Sequence, residues 1–235
     1  MSLPTANVEK LQDLRSFNGL LSDRVYETLK AAILALDFEP GAILKKGAIC
    51  DELGVSRTPV SDAIMKLETE GLVEVIPQSA TRVSRMSMKE IREDAFLREA
   101  LEVAAVEYAA EHRSEEMLGR MQRNLQMQVS QVADGDHEQF FETDREFHRL
   151  ILDCCKVDRL QDTIRHVSNQ MDRARLLLMP MPGRNVDTIE EHRVIVDAIR
   201  TSDPTKARDA MRNHLRQLIK RLEPLEKERP ELFTR

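Results

Sequence analysis

Asp144 and His148 stand four residues apart in the stretch FFETDREFHRLI, a spacing that on an α-helix puts both side chains on one face, about one turn apart. A carboxylate and an imidazole so placed can chelate one ion, by the geometry used in helical sites with two histidines four apart. Two more histidines, His192 in IEEHRVIVDAI and His214 in AMRNHLRQLI, also lie in helical patterns. Three imidazoles and one carboxylate suit borderline divalent metals: zinc first, with nickel or manganese as alternatives. An octahedral ion held by four protein groups keeps two positions for water or for a ligand's carboxylate. Spacing by itself constrains only the Asp144/His148 pair, and a lone helical histidine is more often an ordinary surface or hydrogen-bonded residue. His112, His137 and His166 have no comparable setting and read as surface residues.

Helices must position these groups, and the second part of the chain is patterned as helix throughout. Six are expected: about 89–112, 115–133 closed by DGD, 137–154, 159–179 closed by PMPGR, 188–200, and one capped by Asp203, with Pro204 in its first turn, ending near 224. No strand pattern follows residue 84. Upstream the pattern changes. A helix over 22–36 carries Val25, Leu29, Ala32, Ile33 and Leu36 on one side and stops at Pro40-Gly41. AICDELG reads as a short helix ended by glycine. GVSRTPVSDAIMKLETEGL then supplies a turn at Gly54, a cap at Ser56 and Pro59 in the first turn, where its missing N–H costs nothing. The buried face is Val60, Ala63, Ile64 and Leu67, and the opposite face opens with Arg57, Thr58 and Ser61. Two short helices joined by a tight turn, the second presenting polar donors at its start, form the helix-turn-helix that enters a DNA major groove. GLVEVIPQSATRVSR follows as a β-hairpin, a wing. The expected fold is mostly α: an N-terminal winged helix-turn-helix (α with a small β-hairpin) over 20–85, then an all-α six-helix ligand-binding bundle over 86–223. Residues 1–19 are expected to be a loose arm and 224–235 a tail.

Composition agrees with a cytosolic two-domain protein. The chain has 235 residues, 41% of them hydrophobic, enough to fill a core in each domain, and no apolar run long enough to span a membrane. Three cysteines, two of them adjacent, read as reduced, half-buried small residues. Net charge is −6, and residues 1–85 hold ten Lys and Arg against twelve Asp and Glu. DNA binding therefore depends on local placement of Lys45, Lys46, Arg57, Arg82 and Arg85, not on a bulk basic field.

Residues from about 20 to 85 resemble the winged helix of GntR-type bacterial transcription regulators, through PGAIL, ELGVSRTPV, LETEGLV and RVS. Residues from about 89 to 222 resemble the helical FCD ligand-sensing domain of the FadR subfamily, through LREALEVAAVEYAA, Asp144–His148, EEHRVIVDAI and DPTKARDAMRNHL. The six-helix count is similar to the VanR-like branch. The resemblance implies that Asp144, His148, His192 and His214 together bind a metal. It also implies a small organic acid as effector, coordinating the ion through a carboxylate, with Arg98 as its cationic partner and Arg173 or Arg175 as second choices. It implies a homodimer on a pseudo-palindromic operator of double-stranded DNA, repressing transcription by family habit, with no membrane partner. Arg57 would contact a base edge or phosphate, Ser56 and Thr58 phosphates, and the wing residues Thr81 and Arg82 the minor groove; Lys45, Lys46 and Ser61 complete the set. Four departures bear on this: Gly47 and Ser61 where the family commonly has arginine, Ala80 where it has glycine in the wing, and Lys156-Val157 where it has Gly-Asn. The rival readings are a constitutive DNA-binding protein with a structural metal site and a metal-dependent hydrolase.

Overall fold

The computed structural model describes residues 5–179 and 181–234, without the side chains of His166 and Asn169; the surface reading of His166 lies outside what is described. Two compact units divide the chain, one running to Met88 and including the segment from Glu226, the other running from Lys89 to Leu225.

In the first unit, α1 (Leu21–Leu34), α2 (Lys46–Leu53) and α3 (Arg57–Thr69) precede the antiparallel strands β1 (Val73–Ile76) and β2 (Ala80–Val83). Val25, Leu29, Ala32 and Ile33 of α1 face Val60, Ala63, Ile64 and Leu67 of α3 in one core with Ile49, Leu72, Val73 and Val83. Gly54 caps α2 at φ +63, the left-handed conformation that lets the chain turn sharply into α3. α1 ends two residues earlier than its apolar pattern, because Leu36 itself sits at φ +61.

The N-terminal segment is not loose from residue 5 onward. Thr5 bridges Ile43, the Ala6 N–H donates to Ile43 O at 3.0 Å, and Val8, Leu11 and Leu14 pack on the core through two 3₁₀ turns. The C-terminal residues likewise belong to this unit. Met86 N–H donates to Leu232 O at 3.0 Å, Thr234 N–H donates to Met86 O at 2.8 Å, and Leu232 and Phe233 are buried.

The second unit holds six helices: α4 (Met88–Glu111), α5 (Glu115–Asp134), α6 (His137–Asp153), α7 (Asp158–Leu178), α8 (Arg184–Arg200) and α9 (Pro204–Glu228). All six contribute to one core, from Val103 and Val106 of α4 to Met211 and Leu215 of α9. Gly135 at φ +72 closes α5, and Asp203 Oδ1 accepts the Lys206 N–H at the start of α9. Two boundaries differ from expectation. α8 starts at Arg184 rather than 188, launched from left-handed Gly183, and α9 continues through Pro224 to Glu228. A proline one turn from a helix end removes a single backbone bond, so the last turn survives it. The three cysteines are free and half-buried.

Candidate metal centre and nucleic-acid interface

Asp144 and His148 both point into the interior of the second unit from α6, where His192 of α8 and His214 of α9 meet them. The three imidazoles each offer a nitrogen within 4.8 Å of the others, and all three are buried. Their outer nitrogens are committed. His148 Nδ1 lies 2.5 Å from Glu102 Oε2, His192 Nδ1 lies 2.9 Å from Gln128 Oε1, and His214 Nδ1 lies 2.7 Å from Glu191 Oε2. The carboxylates can only accept. Gln128 is turned the same way, because its amide N–H₂ donates to Asn124 Oδ1 at 2.7 Å while Asn124 donates to Thr143 O at 2.9 Å. Each imidazole therefore donates from Nδ1 and turns Nε2 inward.

The consequence is an electron-rich centre. His148 Nε2 and His214 Nε2 lie 3.2 Å apart, close enough to share one proton or one cation, and the buried His192 Nε2 has no hydrogen-bond partner among the described residues. Burial, reinforced by the neighbouring imidazoles and arginines, holds the pKa values of His192 and His214 well below the usual histidine range, so both rings are neutral and available as ligands. Phe147 stacks on His192 with ring centroids 3.9 Å apart, fixing its plane. Asp144 Oδ1 lies 3.8 Å from His192 Nε2, and its other oxygen is ion-paired with Arg175. An orphaned buried nitrogen and three pre-oriented Nε2 atoms fit a borderline divalent cation, with Asp144 at the edge of the set.

Glu102 was not legible as a site residue. It is fully buried on α4 and accepts from Arg98 Nε as well as His148. Burial alone would raise its pKa, but Arg98 and His148 overcome that and hold the carboxyl at about 2. A cleft of about 310 Å³ lined by Arg98, His148, Arg175, Asp172, Arg145 and Ser168, among others, opens beside the imidazoles. Arg98, expected as the acid's cationic partner, and Arg175, a second choice, both line this cleft. Arg173 does not: it is fully buried, donates from Nη1 to Gln170 at 3.0 Å, and lines neither the cleft nor the inner chamber. Residues two apart on a helix are rotated by about 200°, so of Arg173 and Arg175 only one can face the site. As expected for surface residues, His112 and His137 are exposed.

In the first unit, Lys45, Ser56, Arg57 and Thr58 are exposed, and Lys46 and Ser61 half-buried. Ser56 occupies the cap position of α3, but its hydroxyl makes no capping bond. Thr81 departs from its expected role. It shares the core-facing side of β2 with Val83, as the two-residue period of a strand requires, and its carbonyl accepts from the Leu44 N–H at 2.8 Å. Arg82 is on the outward side, with its Nε donating to Glu74 Oε2 across the hairpin at 2.9 Å. Arg85 is half-buried and its guanidinium packs over Gly41.

Residues 21–83 match the family of bacterial regulatory proteins, gntR family, and residues 95–217, over half of the chain, match the FCD domain. The chain is a GntR-family transcriptional regulator. A relative described as an HTH-type transcriptional regulator in an unstable DNA locus of Streptomyces ambofaciens is 33% identical, covering 92% of each chain. The HTH-type transcriptional repressor RspR of Escherichia coli is 26% identical over 91% of this regulator and 94% of its own length. The solved structure of E. coli McbR/YncC superposes with a TM-score of 0.73 at 24% identity, covering 88% of this chain and 99% of that one; at such identity the likeness establishes the fold. The family is one of transcription regulators, not enzymes, so the hydrolase reading falls. Among the described residues no helix is long and apolar enough to cross a membrane.

Proposed function

We propose that this regulator is a homodimeric, cytoplasmic repressor whose FCD domain holds a divalent metal, zinc in the first instance, on His148, His192, His214 and Asp144. A small carboxylate effector that changes operator affinity would bind beside the metal. The observation that carries the reading is the convergence of three Nε2 atoms whose Nδ1 partners are already spoken for. Arg98 and Arg175, at the junction of cleft and centre, supply the cations that a buried carboxylate requires.

On the DNA side, α3 would enter the major groove with Arg57 reading a base edge or phosphate, and Ser56 and Thr58 donating to phosphates. The exposed position of all three, and a Ser56 hydroxyl left free of capping, support this assignment. Lys45 and Lys46 at the start of α2 would add phosphate contacts, whereas Arg82 would have to leave Glu74 to do so. Phe96 and Leu97 of α4, 74% and 46% exposed, are apolar groups that a second copy would cover. Two-fold symmetry would then call for a pseudo-palindromic operator. Repression is favoured because relatives such as RspR are named as repressors.

A gel-shift assay on the promoter beside the protein's own gene, with metal content measured and candidate acids added, tests the whole reading. Acid-dependent release from DNA by the metal-loaded protein is expected. Binding that no acid alters would leave a constitutive DNA-binding protein with a structural metal site.

A further inference from the structure

Three arginines line the small inner chamber next to His148, His214 and Asp144: Arg98, Arg175 and Arg184. Their partners differ. Arg98 donates to Glu102, while Arg175 is paired with Asp144 and, at 3.2 Å, with Asp172. Arg184, the first residue of α8, has a buried Nη1 with no hydrogen-bond partner among the described residues. The acids on its own helix are engaged elsewhere. Asp187 Oδ2 accepts from Arg221 at 3.0 Å, and Glu191 Oε2 accepts from His214 at 2.7 Å. Burial, reinforced by Arg221, lowers the Arg184 guanidinium to about 10, which leaves it a cation at neutral pH. A buried cationic donor with an unfilled position is the complement of an anion that arrives with a ligand.

We propose that Arg184 is an effector-recognition residue and that the effector is a small acid carrying two anionic groups, in the simplest case a dicarboxylate. The inference rests on the metal-and-acid reading above and adds the ligand's charge. Around the chamber and cleft the charges pair off: Arg98 with Glu102, Arg175 with Asp144, Arg145 with the Asp172 that also touches Arg175, and Arg184 and Arg221 together with Asp187 and Glu191. With a divalent ion bound, this balanced interior carries two further positive charges. One carboxylate leaves half of that uncompensated, and two cancel it. The donors agree with the count. Asp144, turned towards the ion, would release Arg175, so that Arg175 and Arg184 each have an N–H to give a separate anionic group. The adjoining cleft of about 310 Å³ shares Arg98, His148 and Arg175 with the chamber and gives the rest of such an acid its space.

The test is calorimetric titration of zinc-loaded full-length protein, its zinc content measured beforehand, with succinate and malate against butyrate and lactate. Wild type, Arg184→Gln and Arg184→Lys are compared, with melting temperatures recorded with and without each acid. The diacids are expected to bind wild type about 10- to 100-fold more tightly than the monoacids, the worth of one hydrogen-bonded charge contact. In Arg184→Gln that ratio falls to near one while monoacid affinity holds. Equal affinity of wild type for both classes overturns the proposal, as does a parallel loss of both in a normally folded Arg184→Gln. If Arg184→Gln does not fold, Arg184→Lys decides: a reduced diacid preference supports the role and an unchanged ratio overturns it. Wild type that retains no zinc rejects the metal reading itself, whereas zinc-loaded protein without diacid preference rejects only the role of Arg184.

Discussion

Glu102→Gln isolates a part of the proposed metal centre that would touch no metal. The substitution keeps the shape of the side chain and an acceptor for the His148 Nδ1–H, but removes the charge that Arg98 and His148 share. Loss of an outer carboxylate behind a ligating imidazole lowers metal affinity about 10- to 100-fold, equivalent to about 1.4–2.7 kcal/mol. Stability falls too, because Arg98 is left buried with a neutral neighbour. Removing one partner of a buried pair takes about 3–5 kcal/mol; the bond to His148 is retained but the new amide N–H₂ faces the Arg98 donor, so a loss within that range is expected. The pH dependence separates this from a general packing defect. The Glu102 carboxyl is held at about 2, below its ordinary 4.5, so its stabilisation is complete above pH 4.5 and disappears as pH falls towards 2. His192 and His214 act in a higher window: their depressed values make the metal-free protein lose stability as pH drops below 6.5. The difference in stability between Glu102→Gln and wild type should therefore be the same at pH 8 and pH 6 and shrink below 4.5. Chelator competition for zinc and denaturant unfolding across pH are the assays. Zinc affinity within twofold of wild type, with helical content intact, would refute the reasoning.

Five further outcomes follow from the structure. His192→Ala removes the orphaned Nε2 and should abolish both stoichiometric zinc, read by elemental analysis, and the rise in melting temperature on adding it. Arg57→Ala should weaken operator binding about tenfold and lower the salt slope by about one, whereas Thr81→Val, at a buried position, should leave DNA affinity unchanged in a fluorescence titration. Lys156→Gly should stabilise the protein by about 0.5–1 kcal/mol in urea unfolding, since Lys156 is held at φ +51, where a side chain is strained. Truncation after Leu225 should lower the melting temperature of the DNA-binding unit, because Leu232 and Phe233 each lose burial worth about 1.5–3 kcal/mol.

The fold was legible where punctuation and period coincide. Gly54, Gly135 and Pro204 mark helix ends by their backbone constraints, and the apolar periods of α1 and α3 name the core residues that pack there. What escaped reading has no local signal. The packing of Ala6 and of Leu232–Phe233 is decided by partners far along the chain, Ile43 and Met86 respectively. Pro224 reads as a stop, yet the helix runs one more turn past it to Glu228 at the cost of a single backbone bond. At Lys156, where the resemblance leads one to expect glycine, the turn is left-handed all the same, and this chain adopts it with a side chain present.

The same division runs through the site. The four candidate ligands follow from the Asp144/His148 spacing and the resemblance, but the groups that aim the imidazoles do not, because Glu102, Gln128 and Glu191 are polar residues on helices where polar residues abound. One hint was available. Glu102 interrupts the apolar run LEVAAV of α4, whose neighbours Val103 and Val106 are buried, and a carboxylate inside a buried run needs partners there. That placement also argues for function over stability. A well-packed apolar cluster of the same volume in place of Arg98, Glu102 and His148 would stabilise the bundle as well or better. A bundle that instead interrupts its core with three imidazoles, their carboxylate and amide holders and three arginines forgoes that gain. The interruption makes physical sense if charge enters the centre from outside, as an ion and an acid, and if the domain is most stable only once both have arrived.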